Sequence, residues 1–204
     1  MTSRELQLRG CLYPLDEELL QAHNNSKRLT RMLNATLETE RDKRSQIAKE
    51  LFAEAGDGTY IEPPFHCDFG RNVRVGKNFY CNYDCVFLDC GNITIGDNVM
   101  LGPKVALYAV NHPIDPVIRA THYDFPEPIT IGNNVWIGGS SVVCPGASIG
   151  DNTVIGAGSV VTKAIPANVV AAGNPCRVIR PITQEDADYW AEQLRITHEL
   201  LKTP

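Results

Sequence analysis

The segment 109–128, AVNHPIDPVIRATHYDFPEP, places two histidines, His112 and His122, among prolines and carboxylates. An imidazole has an ordinary pKa near 6.5, so around neutral pH it can take a proton from a weak nucleophile such as a hydroxyl. His112 is framed by Asn111 and Pro113, and the proline narrows the local backbone. Asp115 and Asp89 are the carboxylates that could fix its tautomer, and His122 is its rival in the same segment. The remaining histidines are weaker candidates. His23 and His198 fall in helical stretches as surface or packing residues, and His66, before Cys67-Asp68-Phe69-Gly70, either lines a site or serves the structure.

What must position this segment is legible in the spacing around it. Apolar residues recur every sixth position at Ile131, Ile137, Val143, Ile149, Ile155 and Val161, and Gly132, Gly138, Gly150 and Gly156 follow four of them. Neither a helix nor a flat strand has that period; short strands joined by corners do, with one apolar residue pointing inward per side. The pattern specifies a parallel β-helix. It begins near Val73 and Val75-Gly76, continues through Ile95-Gly96 and Leu101-Gly102, fails over 109–128, and resumes at Ile129. A twenty-residue excursion from a solenoid points to function.

Over residues 16–55 the period turns helical. Leu19, Leu20, Leu29, Met32, Leu33, Ile47, Leu51 and Phe52 mark two amphipathic helices, with Gly56 ending the second. The reading is a helical lid over 1–58, a β-helix over 59–182, and a last helix over 183–204, where Thr183 and Asp186 form a capping box. The terminal helices are expected to cover the open coil ends or to bridge subunits.

A net charge of -5 speaks against a nucleic-acid surface, and no apolar run suggests a membrane span or secretory leader, so a cytoplasmic location is expected. The seven cysteines have no framework spacing, and Cys81 and Cys85 read as core filler. No metal is expected either, because His112 and His122 lack a third histidine at coil spacing.

Ile61-Glu62-Pro63-Pro64 with Cys67-Asp68-Phe69-Gly70, the stretch from Asn78 to Asp84, Asn111 to Pro116, Ile131 to Gly138, and Gly173-Asn174-Pro175 are the specific pieces. Together they resemble the hexapeptide-repeat acyltransferases, and among these the maltose and galactoside O-acetyltransferases, over nearly the whole chain. The resemblance implies a left-handed β-helix of triangular section with about eighteen residues per coil. It also implies a homotrimer with active sites between subunits, and acetyl transfer from acetyl-CoA to a sugar hydroxyl. By the same resemblance His112 is the base and Asn82 the donor that meets the oxyanion, an asparagine ladder at a coil corner being the other reading of Asn82. Asp16, Asp68, Asn82 and Asp89 are implied to contact the sugar, with Trp136 walling the acetyl channel or packing at an edge. Gly139, Ala157, Thr162 and Lys163 are implied along the coenzyme arm, and Arg177 and Arg180 at its phosphates.

The galactoside branch has a serine at the place of Asp68 and an aspartate at that of Cys90, which favours the maltose-type branch. Two alternatives stand beside this reading: an antibiotic O-acetyltransferase on the same fold, and a non-catalytic scaffold whose helices bind other proteins. Acetyl-CoA binding and relative rates on maltose, galactosides and chloramphenicol distinguish them.

Overall fold

A computed structural model describes residues 1–201 and has the β-helix as its body. Three parallel sheets form its faces. Face one stacks Glu54–Ala55, Val73–Val75, Ile93–Ile95, Ile129–Ile131 and Ser148–Ile149. Face two stacks Tyr60–Ile61, Tyr80–Cys81, Met100–Leu101, Trp136–Ile137, Val154–Ile155 and Val169–Ala172, and face three runs from Phe65–Cys67 through Cys85–Leu88, Ala106–Tyr108 and Val142–Val143 to Val160–Val161. The chain visits the faces in that order on every turn. Ile131 pairs with Ile149 eighteen residues on, whereas Ile95 pairs with Ile131, thirty-six residues away. One turn therefore carries a full extra turn's length of chain, and the register on either side is undisturbed.

The inward residues are those the six-residue period picks out. Ile93, Ile131, Ile137, Val143, Ile155 and Val161 are all fully or nearly fully buried in one cluster that also takes in Cys81 and Cys85. Between faces one and two the corners carry Asn78, Asn98, Asn134, Asn152 and Asn168, all with φ between 55° and 59°. Each side-chain amide of the first four donates to the Oδ1 of the asparagine on the next turn at 2.9–3.0 Å. Asparagine suits this corner because it tolerates the left-handed backbone while its amide both donates and accepts. The asparagine ladder thus exists, one corner away from Asn82.

The β-helix starts earlier than the repeat signal. Helices α1 (Ser3–Leu8), α2 (Glu17–Asn34) and α3 (Arg41–Leu51) come first, and α3 stops five residues before Gly56. Glu54–Ala55 already pairs with Arg74 and Val75, so Gly56 is a corner of the first turn rather than a helix stop. A Cβ there would lie 2.5 Å from the backbone carbonyl carbon of Gly76. Leu29 and Leu33 of α2 and Ile47 and Leu51 of α3, with Phe52, enter the main core, where Phe52 meets Phe65 edge-on at 5.9 Å. These helices close the open first turn, as a solenoid end requires.

The other end is finished by a strand. Arg177–Pro181 doubles back antiparallel onto Val169–Ala172 and finishes that sheet. The capping box forms, with Asp186 accepting the Thr183 N–H at 2.9 Å, and none of the residues of the helix it starts, Gln184–Leu200, is buried within the single chain. No helix among the described residues is long and apolar enough to cross a membrane.

The close stacking of corners gives a direct test. At Gly138 a Cβ would stand 2.5 Å from the Ala157 nitrogen and 2.9 Å from the Ile155 oxygen, both backbone atoms that cannot swing away. Gly138→Ala is expected to cost about 1–3 kcal/mol of stability, as overpacking does, read from the urea midpoint. An unchanged midpoint would mean that successive turns slide apart at little cost.

Candidate active site

The interruption of the repeat is an ordered excursion from the corner between faces three and one. Val110–Asn111 pairs antiparallel with Phe125–Pro126, and a helical turn, α4 (Pro116–Arg119), caps the far end. Asp115 serves that turn: its carboxylate accepts the Ile118 N–H at 2.8 Å, so it is not the partner of the histidine. The partner is Asp124, whose Oδ1 lies 3.3 Å from His112 Nδ1. His122, at the far end of the excursion with φ 60°, has no carboxylate partner among the described residues.

Asp124 is itself held from outside the loop. Its N–H and C=O make reciprocal bonds of 3.0 and 3.1 Å with the backbone of Tyr13. Tyr13 is fully buried, and its hydroxyl accepts from Gln7 Nε2 at 3.1 Å. The segment between α1 and α2 thereby straps down the far limb of the loop. Burial raises the Asp124 carboxyl above its ordinary range, and the nearby His112 pulls it back.

Beneath this pair a small cavity of about 160 Å³ runs from Asp124 to Asp68, floored by Phe69 and Cys90. A larger one of about 440 Å³ opens beside His112, Arg119 and His122. His23 packs, its ring leaning on Phe69 at 5.7 Å between centroids, and its Nε2 stands 3.7 Å from Asp68 Oδ1. Burial, then Lys27, lowers its pKa. Asp68 is raised, first by burial and then by Asp124.

The remaining predicted residues divide. Asp89 is completely buried, its carboxylate accepting the N–H groups of Asp68 at 3.1 Å, Phe69 at 2.8 Å and Asn72 at 3.3 Å. Sealed there, it fixes the turn that presents Asp68, and the carboxylate beside His112 is Asp124 instead. Asp16 caps α2, taking Leu19 N–H at 3.0 Å and Ser3 N–H at 3.3 Å, and these bonds lower its pKa. Asn82 lies at the corner between faces two and three, the opposite end of face three from His112. Its Oδ1 accepts the Tyr83 N–H at 2.9 Å, which leaves the amide NH₂ as the free end.

Gly139 and Ala157 lie on that same edge, stacked on successive turns, and Trp136 stands half exposed on face two between Met100 and Val154. Thr162 and Lys163 follow Val160–Val161 at the other edge, below His112. There Lys163 and Arg177 border a cavity of about 290 Å³. Arg180 is engaged elsewhere, in a two-bond pair with Asp186 at 2.7 and 2.8 Å. Within one chain, then, the two edges carry two parts of the predicted site: Asn82, Gly139, Ala157 and, by its pairing with Ala172, Arg177 on one, and His112, Thr162 and Lys163 on the other.

The family described as bacterial transferase hexapeptide (six repeats) matches residues 128–163, and the maltose acetyltransferase hexapeptide capping motif matches residues 8–56. The galactoside O-acetyltransferase of Escherichia coli (strain K12) is 44% identical over 180 residues, 88% of this chain and 89% of its own. A solved structure of a maltose O-acetyltransferase from Clostridium difficile 630 aligns with a TM-score of 0.88 at 51% identity, covering 90% of this chain and 98% of its own. A galactoside acetyltransferase in complex with coenzyme A aligns with the same TM-score at 44% identity, covering 92% and 94%.

Asp89 supplies a pH test of the site's foundation. Burial pushes its pKa up to about 6 against the pull of its backbone donors, while in the unfolded chain an aspartate titrates near 3.9. Folding therefore takes up a proton between these values. The contribution to stability is fullest below about pH 4 and falls by up to about 3 kcal/mol as pH rises through 6. Urea midpoints should decline over that window, and Asp89→Asn should flatten most of the decline; a slope unaltered by the substitution would assign the proton to another group.

Proposed function

Since this chain belongs to the hexapeptide-repeat acetyltransferases, the family of the galactoside and maltose O-acetyltransferases, we propose that it moves acetyl from acetyl-CoA to a sugar hydroxyl with His112 as general base. The observation that carries the reading is the His112–Asp124 pair at the mouth of the acceptor cavities. With Nδ1–H donated to Asp124, the Nε2 lone pair is left facing outward to accept the hydroxyl proton. The sugar oxygen then attacks the thioester carbonyl carbon. A tetrahedral adduct forms, its oxyanion needs a preorganised donor, and its collapse breaks the carbon–sulfur bond. His112 returns the proton to the departing thiolate, so the sum is ester plus free thiol.

The free NH₂ of Asn82 is the donor that fits, worth on the order of 3 kcal/mol of barrier. It lies at the wrong edge of its own chain, and this is the argument for a trimer. Outward residues on face one are Arg74, Thr94, Thr130 and Ser148, a solvated column. Those on face two are Tyr80, Met100, Trp136 and Val154, and on face three, beyond the part that α2 overlies, Ala106, Val142 and Val160. Two apolar faces meeting at the Asn82 edge suit burial against copies of the same chain. In such an assembly the Asn82 edge of one subunit faces the His112 edge of the next, and the coenzyme lies in the groove between them. Gly139 and Ala157 would line one wall, with Arg177 at its end, and Thr162 and Lys163 the other. Arg180 would have to leave Asp186 to join them. The differences at Asp68 and Cys90 favour a maltose-like acceptor over a galactoside.

His112→Ala should stay folded and lose transfer by about 10²–10⁴, measured as thiol release with maltose or glucose; near-normal turnover removes the mechanism. Asp124→Asn should cost roughly tenfold to a hundredfold in kcat, less than the ~10⁴ seen for a fully buried triad aspartate. Subunit sharing has its own test. Mixed trimers of His112→Ala and Asn82→Ala chains should recover activity that neither has alone, and a fully active monomer in light scattering would refute the shared site.

A further inference from the structure

Resting on the sugar-acetylation reading, we propose that the acceptor site continues past Asp68 into a subsite for an anionic substituent, so that the preferred acceptor is an acidic sugar. Between α2 and the outer surface of face three lies a cavity of about 490 Å³, bordered by Lys27, Arg31 and His66, with Val86 and Leu88 as its floor and Asp68 at its inner end. Lys27 and Arg31 are four residues apart on α2, so they project from one side of the helix.

Three other cations of the helices and the turn beneath them are ion-paired, whereas Arg4 bonds the amides of Gln7 and Asn72 and Arg41 lies over the Tyr60 ring. Arg28 bonds Glu50 at 3.0 Å, Arg44 bonds Glu62 at 3.0 Å, and Arg71 reaches Glu18 at 3.5 Å. Among the described residues neither Lys27 nor Arg31 has a salt bridge. The one carboxylate bordering the cavity, Asp68, leans toward His23 at 3.7 Å and also feels the charge of Lys27. Two cations and an imidazole thus face a half-apolar space with a single acid at its inner rim.

Asp68 also borders the small cavity that leads to Asp124, and Asp124 borders the one that holds His112. The three spaces are thus neighbours in a row, each adjacent pair sharing one of these two carboxylates in its wall. A sugar whose hydroxyl lies at His112 can hydrogen-bond Asp68 along its length and place its far end at Lys27 and Arg31, with a ring face on Val86 and Leu88. A phosphate or carboxylate there gains charge-assisted bonds that a hydroxyl does not. A cationic substituent would meet like charge.

The test uses the full-length enzyme with acetyl-CoA and compares kcat/KM for glucose 1-phosphate, glucose 6-phosphate and glucuronate, each against glucose. At least one acid should exceed glucose about tenfold. That ratio should fall about tenfold in Lys27→Gln/Arg31→Gln and shrink with added salt, as exposed charge pairing does. The proposal is overturned if no acid exceeds glucose or if the double variant leaves the ratio unchanged. If no sugar is acetylated at all, the sugar reading itself fails. Calorimetry of the three acids on the coenzyme A-loaded protein then decides the subsite separately, since binding weakened in the double variant upholds it and absent binding overturns it.

Discussion

Every part of this molecule depends on the backbone hydrogen bonds that set each turn on the one before it. Because these bonds run corner over corner, the stacked turns approach so closely that Gly56 and Gly138 have no room for a Cβ. The same stacking brings side chains at equivalent corners within hydrogen-bond reach. The asparagine ladder is one product. Two edges with separate chemistry, one led by Asn82 and the other by His112, are another. Solenoids of this kind are nearly one-dimensional, each turn contacting only its neighbours. A turn can therefore hold eighteen extra residues at a corner without shifting those beyond it, and that freedom is what lets a rigid rod carry a long ordered loop.

Much of this was legible in the chain. The inward residues, the corner glycines and the place where the rhythm breaks all follow from a six-residue period. A period, though, reports only what repeats. The first turn at Glu54–Ala55 was hidden because it lacks the Ile-x-Ile-Gly pattern of later turns, its place in the sheet being secured by pairing with Arg74 and Val75. The fate of the last helix was hidden for the opposite reason: its capping box and apolar residues specify a helix, and nothing local says what it packs against.

The site was read less completely than the fold. His112 stands out by residue type and by position in the excursion, but its partner could not be found by proximity. Asp115, three residues away, is consumed by a helix cap, and Asp89 is sealed beneath the turn it supports. Asp124 is reached only because the loop folds back on itself, and His23 only because α2 crosses above Asp68. Carboxylates of one type thus fall into three employments, capping, bracing and orienting, and the backbone donors around each decide which.

The bond between Tyr13 and Asp124 joins residues more than a hundred positions apart, whereas most sheet contacts here join residues about one turn apart. Local contacts form quickly and distant ones late, because the chain between them must first be ordered. The rod can zip up turn by turn while the N-terminal segment is still free. A young chain would then have its architecture before the His112–Asp124 pair is in place, so completing the rod and completing the loop are separate events in time.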